Sequence, residues 1–279
     1  MKDLYRSLGL LLGLFICTPA LAETWHVDPI TGCAVHDKDD AAKGVLISWS
    51  GGCDQSKRAT GQGVLSWIDK GKLVGRYEGS MRDGRANGHG TVYVAAPKGG
   101  YDRFEGTFKD DQVDGALTAK TAAGLTFQGV MNGNSYTGEG ILRNAAGDQY
   151  TGHLANGKLH GAGHLILADG EQYRGNFVAG DLEGMGEWLG KNGDYYRGGF
   201  KTSTYSGAGR YEAADGDVYE GEFANGLPNG QGRFSNAEGR TITGRFKAGW
   251  PDGKVEVRTP DGKVLTEMWS GGKKQGGGQ

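Results

Sequence analysis

The sequence predicts an all-β protein, an elongated single antiparallel sheet, twisted and curved, built from tandem 23-residue β-hairpins. Gly supplies 54 of the 279 residues and Pro only 6; the usual share of Gly is about 7%, and each interior Gly costs a helix about 1 kcal/mol. Gly does not recur at every third position, which excludes collagen, and an aromatic content of 10% is too high for a disordered Gly-rich linker. The third observation is a strict internal period, set out below.

The first element reads as an address. Lys2 and Arg6 make a basic start, Leu8 to Ile16 an apolar run, and Ala20-Leu21-Ala22 a small-x-small cleavage site. That order predicts a signal peptide over residues 1–22, cut after Ala22, since the run falls short of the ~20 residues that span a bilayer. The expected location is the periplasm or the extracellular space. Cys17 leaves with this segment and follows Ile16, which does not suit lipid attachment. Cys33 and Cys53 remain and are expected to form a disulfide in an oxidising compartment. A metal there would find only His26 and His36 as further ligands, and the spacing is unlike Cys-x-x-Cys. Residues 23–76 are read as an N-terminal cap holding this bond and a degenerate repeat.

Residues 77–270 are the repeat array. An aromatic or aliphatic residue opens each unit: Tyr77, Phe104, Phe127, Tyr150, Tyr173, Tyr196, Tyr219 and Ile242, at intervals of 27 and then 23 six times running. The longer interval holds four extra residues around Pro97–Gly100, of loop composition. The second and eleventh residues after every opener are Gly, and the fourth and fifteenth are always apolar. Residues two apart share one face of a strand, so openers, fourth and fifteenth positions make one aromatic ladder set among glycines. The rings are expected to lie over the glycine backbone. The opposite face carries charges of both signs, among them Glu78, Arg174, Lys201 and Arg245. Asp169-Gly170, Asp215-Gly216 and Asp261-Gly262 are hairpin-turn dipeptides between repeats. Leu265 opens a partial last repeat, and residues 271–279 read as a disordered polar tail.

Tyr150–Gly163 and Tyr219–Gly232, each running Tyr-x-Gly-x-apolar, Ala-Asn-Gly and Gly-x-Gly, resemble the MORN (membrane occupation and recognition nexus) repeat, here of an exported bacterial type. The resemblance covers residues 77–257, reaches weakly back to Trp49, and departs at Asp111 and Leu117, where turn and strand glycines are expected. It implies one β-hairpin per repeat.

A formal charge of −2 excludes a broad nucleic-acid footprint. No Gly-Lys-Ser/Thr loop, Gly-x-Ser-x-Gly elbow or isolated nucleophile–base set is present, so no cofactor or catalytic residue is assigned. His153, His160 and His164 lack a carboxylate at ligand spacing, and Asp148, Asp194 and Asp217 read as turn residues, so no metal is assigned. A grafted catalytic site should break the repeat at clustered polar positions; the breaks in the second repeat and at Pro97–Asp102 offer no acid–base pair with a nucleophile. The expectation is a non-enzymatic binding or scaffold protein. Its binding face is Tyr150, Tyr173, Phe177, Trp188, Tyr196, Phe200, Tyr211, Tyr219, Phe223 and Phe234, presented to a protein or peptide partner. Alternatives are a module for a membrane surface or cell-wall glycan, since exposed Tyr and Trp stack on sugars or sit at an interface, and, behind both, an unrecognised hydrolase.

Overall fold

A computed structural model describes residues 24–37, 44–133 and 137–275; the signal-peptide expectation for residues 1–22 lies outside them. The described residues form twenty-three strands and no α-helix. The chain divides into two compact units, Met1–Lys158 and Leu159–Gln279, with the boundary inside the array. Contacts in a repeat array run between neighbours, so compactness is local and leaves no boundary mark in the period. In each unit the repeat strands form an antiparallel meander with consecutive strands paired.

The strands Tyr195–Lys201 and Thr204–Glu212 show how one repeat is built. Tyr196 faces Tyr211, Gly198 faces Gly209, and Phe200 faces Tyr205, with a bulge between the last two pairs. The second strand must absorb the extra residues of that bulge, and it does so at Gly207, whose φ is 74°. The eleventh-position glycine is therefore a bulge residue here, whereas Gly138 faces Met131 in unbroken register. Hairpin tips such as Asn225-Gly226 have φ of 51° and 81°, both left-handed as a two-residue turn on right-twisted strands requires. The turns between repeats are of another kind. In Leu167–Glu171, the Gly170 N–H donates to Leu167 O at 2.9 Å, a turn closed by the predicted Asp-Gly pair; Ala213–Asp217 and Thr259–Lys263 repeat it.

Rings cover glycines, as expected, and the openers Tyr77, Phe127, Tyr196 and Tyr219 each cover both glycines of their own hairpin, while Phe200 reaches Gly186 of the preceding one. A Cβ on Gly198 would stand 2.5 Å from the Tyr196 hydroxyl and 2.5 Å from Gly209 Cα. The hydroxyl then donates to the backbone carbonyl three residues on: Tyr77 to Ser80 O, Tyr150 to His153 O, Tyr196 to Gly199 O and Tyr219 to Glu222 O, at 2.8–3.1 Å. Where the opener is Phe104 or Ile242, the thirteenth-position glycine is replaced by buried Leu117 or Val255, whose side chain packs against Gly106 or Gly244 instead. Tyr173 departs from this rule. Its hydroxyl donates to Glu171, and Leu182 packs over Gly175.

Backbone bonds also run from tip to tip. The second residue of each tip donates its N–H to the ninth-position carbonyl of the preceding repeat: Ser203 to Leu182, Gly226 to Tyr205 and Gly249 to Pro228, at 2.9–3.0 Å. In the first unit Gly84 donates to Ala59 and Asp111 to Ala86.

Two expectations are corrected. The extra residues near Pro97–Gly100 do not enlarge a loop: the turn closes from Ala96 to Gly100 as in other repeats, and the flanking strands Arg85–Ala95 and Tyr101–Lys109 each gain two residues, 11 and 9 against 9 and 7 in the Thr204–Glu212/Val218–Ala224 pair. An even addition per strand keeps every side chain on its face. The tail expected to be disordered from Gly271 is folded through the strand Lys273–Lys274, which pairs with Ser270 and Trp269. Gly271 and Gly272, at φ 55° and 77°, make the turn, and Lys274 Nζ reaches Glu267 Oε1 at 2.8 Å. Residues 276–279 lie outside the described residues.

Before the array, the hairpin Thr24–Val27/Ala34–Asp37 packs on the first tips, and the expected Cys33–Cys53 disulfide is formed. Cys33 and Val35 are buried in one cluster with Trp49, Leu65, Tyr77 and Phe108. Trp49 is the degenerate opener: a Cβ on Gly51 or Gly63 would strike its ring. Buried Asp28 ties the segment down, accepting from Thr31 Oγ1, the Ile30 N–H and the Trp49 N–H. Burial alone would raise its pKa, but these bonds outweigh that and hold it below the ordinary carboxylate value.

Candidate functional site

The second unit carries an open trough of about 570 Å³. Its walls follow from the repeat. Fifteenth positions supply Trp188, Tyr211 and Phe234; openers and fourth positions supply Tyr219, Ile242, Phe223 and Phe246. Trp269, the fourth position of the partial last repeat, closes one end. The ninth positions Tyr205, Pro228 and Pro251 and the tips Gly226-Leu227 and Gly249-Trp250 complete the lining. None of these residues is charged.

The expected face is placed only in part. Trp188, Tyr211, Tyr219, Phe223 and Phe234 line the trough. Tyr150, Phe177, Tyr196 and Phe200 are buried core and present no free face; the Tyr196 ring, for one, meets Phe200 and Phe223 edge-on. Tyr219 and Phe223 are also largely buried and contribute only ring edges. Tyr173 is half-buried and outside the lining. Tyr205, Leu227, Pro228, Trp250, Pro251 and Trp269 were not foreseen. A signal for three of them existed: the ninth residue after successive openers reads Ala86, Val113, Tyr136, Leu159, Leu182, Tyr205, Pro228 and Pro251, an apolar column. The eighth position is polar through Thr204 and turns apolar only at Leu227 and Trp250, which are 48% and 59% exposed.

The ring polar groups are largely engaged. Tyr211 donates to Asp194 Oδ2, and Asp194 Oδ1 accepts the Ala214 N–H; the Tyr211 bond first, then the Ala214 N–H, hold Asp194 below its ordinary pKa, while burial pushes the Tyr211 hydroxyl up. Trp269 Nε1 donates to Glu267 Oε2 at 2.9 Å. Glu267 is buried, and its bond from Lys274 above all keeps it below the usual carboxylate range. Tyr205 stacks on Tyr196 at 3.8 Å between ring centroids, and burial raises its hydroxyl pKa strongly. The result is a wall of rings with few donors left to meet a polar ligand.

One polar cluster gives the departure in the second repeat a structural role. Asp111 meets His36 Nδ1 at 2.9 Å and Arg85 at 3.7 Å. Asp111 Oδ1 accepts the Ala86 N–H at 2.7 Å, and burial raises its pKa. The His36 side chain is 3% exposed beneath Trp25, closed to any substrate, and it fixes the N-terminal hairpin to a tip. Among the described residues, no group of three or more His, Cys, Asp or Glu is arranged to hold a metal. Of the acidic turn residues, Asp194 and Asp217 accept backbone N–H groups of the next turn.

A family model described as the MORN repeat matches the chain at residues 77–93, 150–172, 173–195 and 219–239. No curated protein matches it.

Proposed function

We propose that this chain, which carries MORN repeats, is a non-enzymatic binding or scaffold protein of the periplasm or extracellular space that receives a protein or peptide partner in the trough of its second unit. The observation that carries this reading is a trough of about 570 Å³ lined by aromatic, aliphatic, Pro and Gly residues without a charge. Such a surface gains by burying apolar groups, at roughly 25 cal/mol per Å² before the costs of association. A glycan would need polar partners for its hydroxyls, and Tyr211, Tyr219 and Trp269 have already spent theirs. An anionic membrane surface would need a basic block, and the trough offers none. The Cys33–Cys53 bond favours an oxidising, exported location.

The test uses the full chain as bait for envelope proteins, with Trp250→Glu and Leu227→Glu as controls at exposed trough positions. A saturable partner lost in both variants supports the reading. Capture unaffected by either charge, or sedimentation with peptidoglycan in place of a protein, overturns it.

A further inference from the structure

The first unit shows how such a trough is filled. There the hairpin Thr24–Val27/Ala34–Asp37 lies across the tips, with Cys33 and Val35 two residues apart and buried. They pack in one cluster with the opener Tyr77, the fourth positions Met81 and Phe108, the ninth positions Ala86 and Val113, and the fifteenth position Val92. These are the same repeat positions that line the trough of the second unit through Tyr219, Phe223, Pro228 and Phe234. The backbone seats the segment as well. The Ala34 N–H donates to Lys57 O at 2.7 Å, and the His36 N–H donates to Gly84 O at 2.8 Å, both acceptors being tip residues. Ala34 also makes a parallel bridge to Arg58. Alternate side chains point into the apolar positions, and the N–H groups between them bond the tips.

The counterparts of Gly84 in the second unit are Gly226 and Gly249, and both line the trough. Within the reading above, on which this rests, we propose that the trough of the second unit takes an extended strand of a partner polypeptide, with uncharged apolar side chains at alternate positions and its intervening N–H groups donated to the Gly226 and Gly249 tips. The partner class is thus a β-strand or unfolded segment, and neither an amphipathic helix nor an acyl chain. The absence of charge from the lining sets the inward side chains, and the seating of Ala34 and His36 on the first tips sets the extended backbone. The exposed Leu227 and Trp250 flank the strand where the polar eighth position changes character.

The experiment titrates the full chain with a short peptide of alternating valine and serine, kept soluble by terminal lysines. Three companions follow: the same peptide N-methylated at the serines, a helix-forming peptide of equal apolar content, and the Trp250→Glu variant. Tryptophan fluorescence reads affinity, and hydrogen exchange reads protection at residues 224–228 and 247–251. The expected result is saturable binding of the alternating peptide with protection at both tips, weakened by roughly tenfold or more on N-methylation and lost in Trp250→Glu. Tighter binding of the helical peptide, or affinity indifferent to N-methylation, overturns the strand mode and leaves the trough as a protein-binding site. Loss of protection at residues 33–36 on binding also overturns it, since the peptide has then displaced the chain's own segment. No binding or protection with either peptide sinks both readings.

Discussion

Ring and glycine are coupled within each hairpin, and Tyr196 with Gly209 gives the sharpest test. The Tyr196 ring is fully buried, and a Cβ placed on Gly209 would lie 2.7 Å from its Cε2. Gly209→Val alone must push that ring aside, at about 3 kcal/mol, the upper end for overpacking. Tyr196→Ile alone empties the space and removes the bond to Gly199 O, at about 3–4 kcal/mol. Together they recreate the arrangement found at Ile242, Gly244 and Val255, where a branched side chain at the thirteenth position fills the space. The double variant should therefore lose about 2 kcal/mol less than the sum of the singles. It should not fully recover, because the stacking on Tyr205 is gone. Native-state hydrogen exchange of amides in residues 195–212 measures the opening energies without assuming that the whole chain unfolds in one step. Additivity within about 0.5 kcal/mol refutes the coupling.

Replacing Cys33 and Cys53 together with serine should cost about 3 kcal/mol and be felt first in residues 24–76, with protection from Tyr150 onward largely kept; exchange mass spectrometry reads the gradient, and uniform loss contradicts it. Gly175→Val should destabilise more than Gly226→Ala in thermal melts. The first meets Leu182 Cδ1 at 2.8 Å and Met185 O at 3.0 Å at a φ of 153°, while the second bears chiefly the left-handed φ of 81°, about 1–2 kcal/mol. Glu267 has its pKa depressed in the folded protein, so its contribution is present above the unfolded value of about 4.3 and is lost as pH falls through the lower folded value. Tryptophan emission should report opening of the last hairpin over that acid range, and Glu267→Gln should make the emission less pH-dependent there.

Much of the fold was legible because a 23-residue period fixes both the turns and the faces. The Asp-Gly turns, the disulfide and the rings over glycine follow from local chemistry. What escaped lies between residues far apart in sequence. The bond from Gly249 to Pro228 O joins the tips of neighbouring repeats, and backbone groups carry no residue signature. His36 and Asp111 stand 75 residues apart, so the departure at Asp111 carries no sign in the sequence that it anchors the first hairpin. Burial was the harder matter. Tyr196 and Tyr211 share one aromatic ladder, yet one is core and the other lines the trough, because the Tyr196 ring folds down over Gly198 and Gly209 while the Tyr211 hydroxyl reaches Asp194. Pro228 and Pro251 sit at strand positions where proline reads as a breaker. Each lies opposite a buried Phe at the bulge and presents an apolar ring to the trough.

The tip bonds also give the array a mechanical character. Within a unit, each hairpin is fastened to the next along two tracks, the strand pairing on one side and a single backbone bond from tip to carbonyl on the other. Antiparallel strand bonds lie across the strands, so a load that peels an end hairpin meets them a few at a time, and the tip bond must break before that hairpin comes free. Every release returns one repeat of 23 residues, about 80 Å of slack at ~3.4 Å per residue. Under tension a unit of this kind pays out chain in equal increments, each stop set by the next intact tip, and shortens by the same increments when the load is removed.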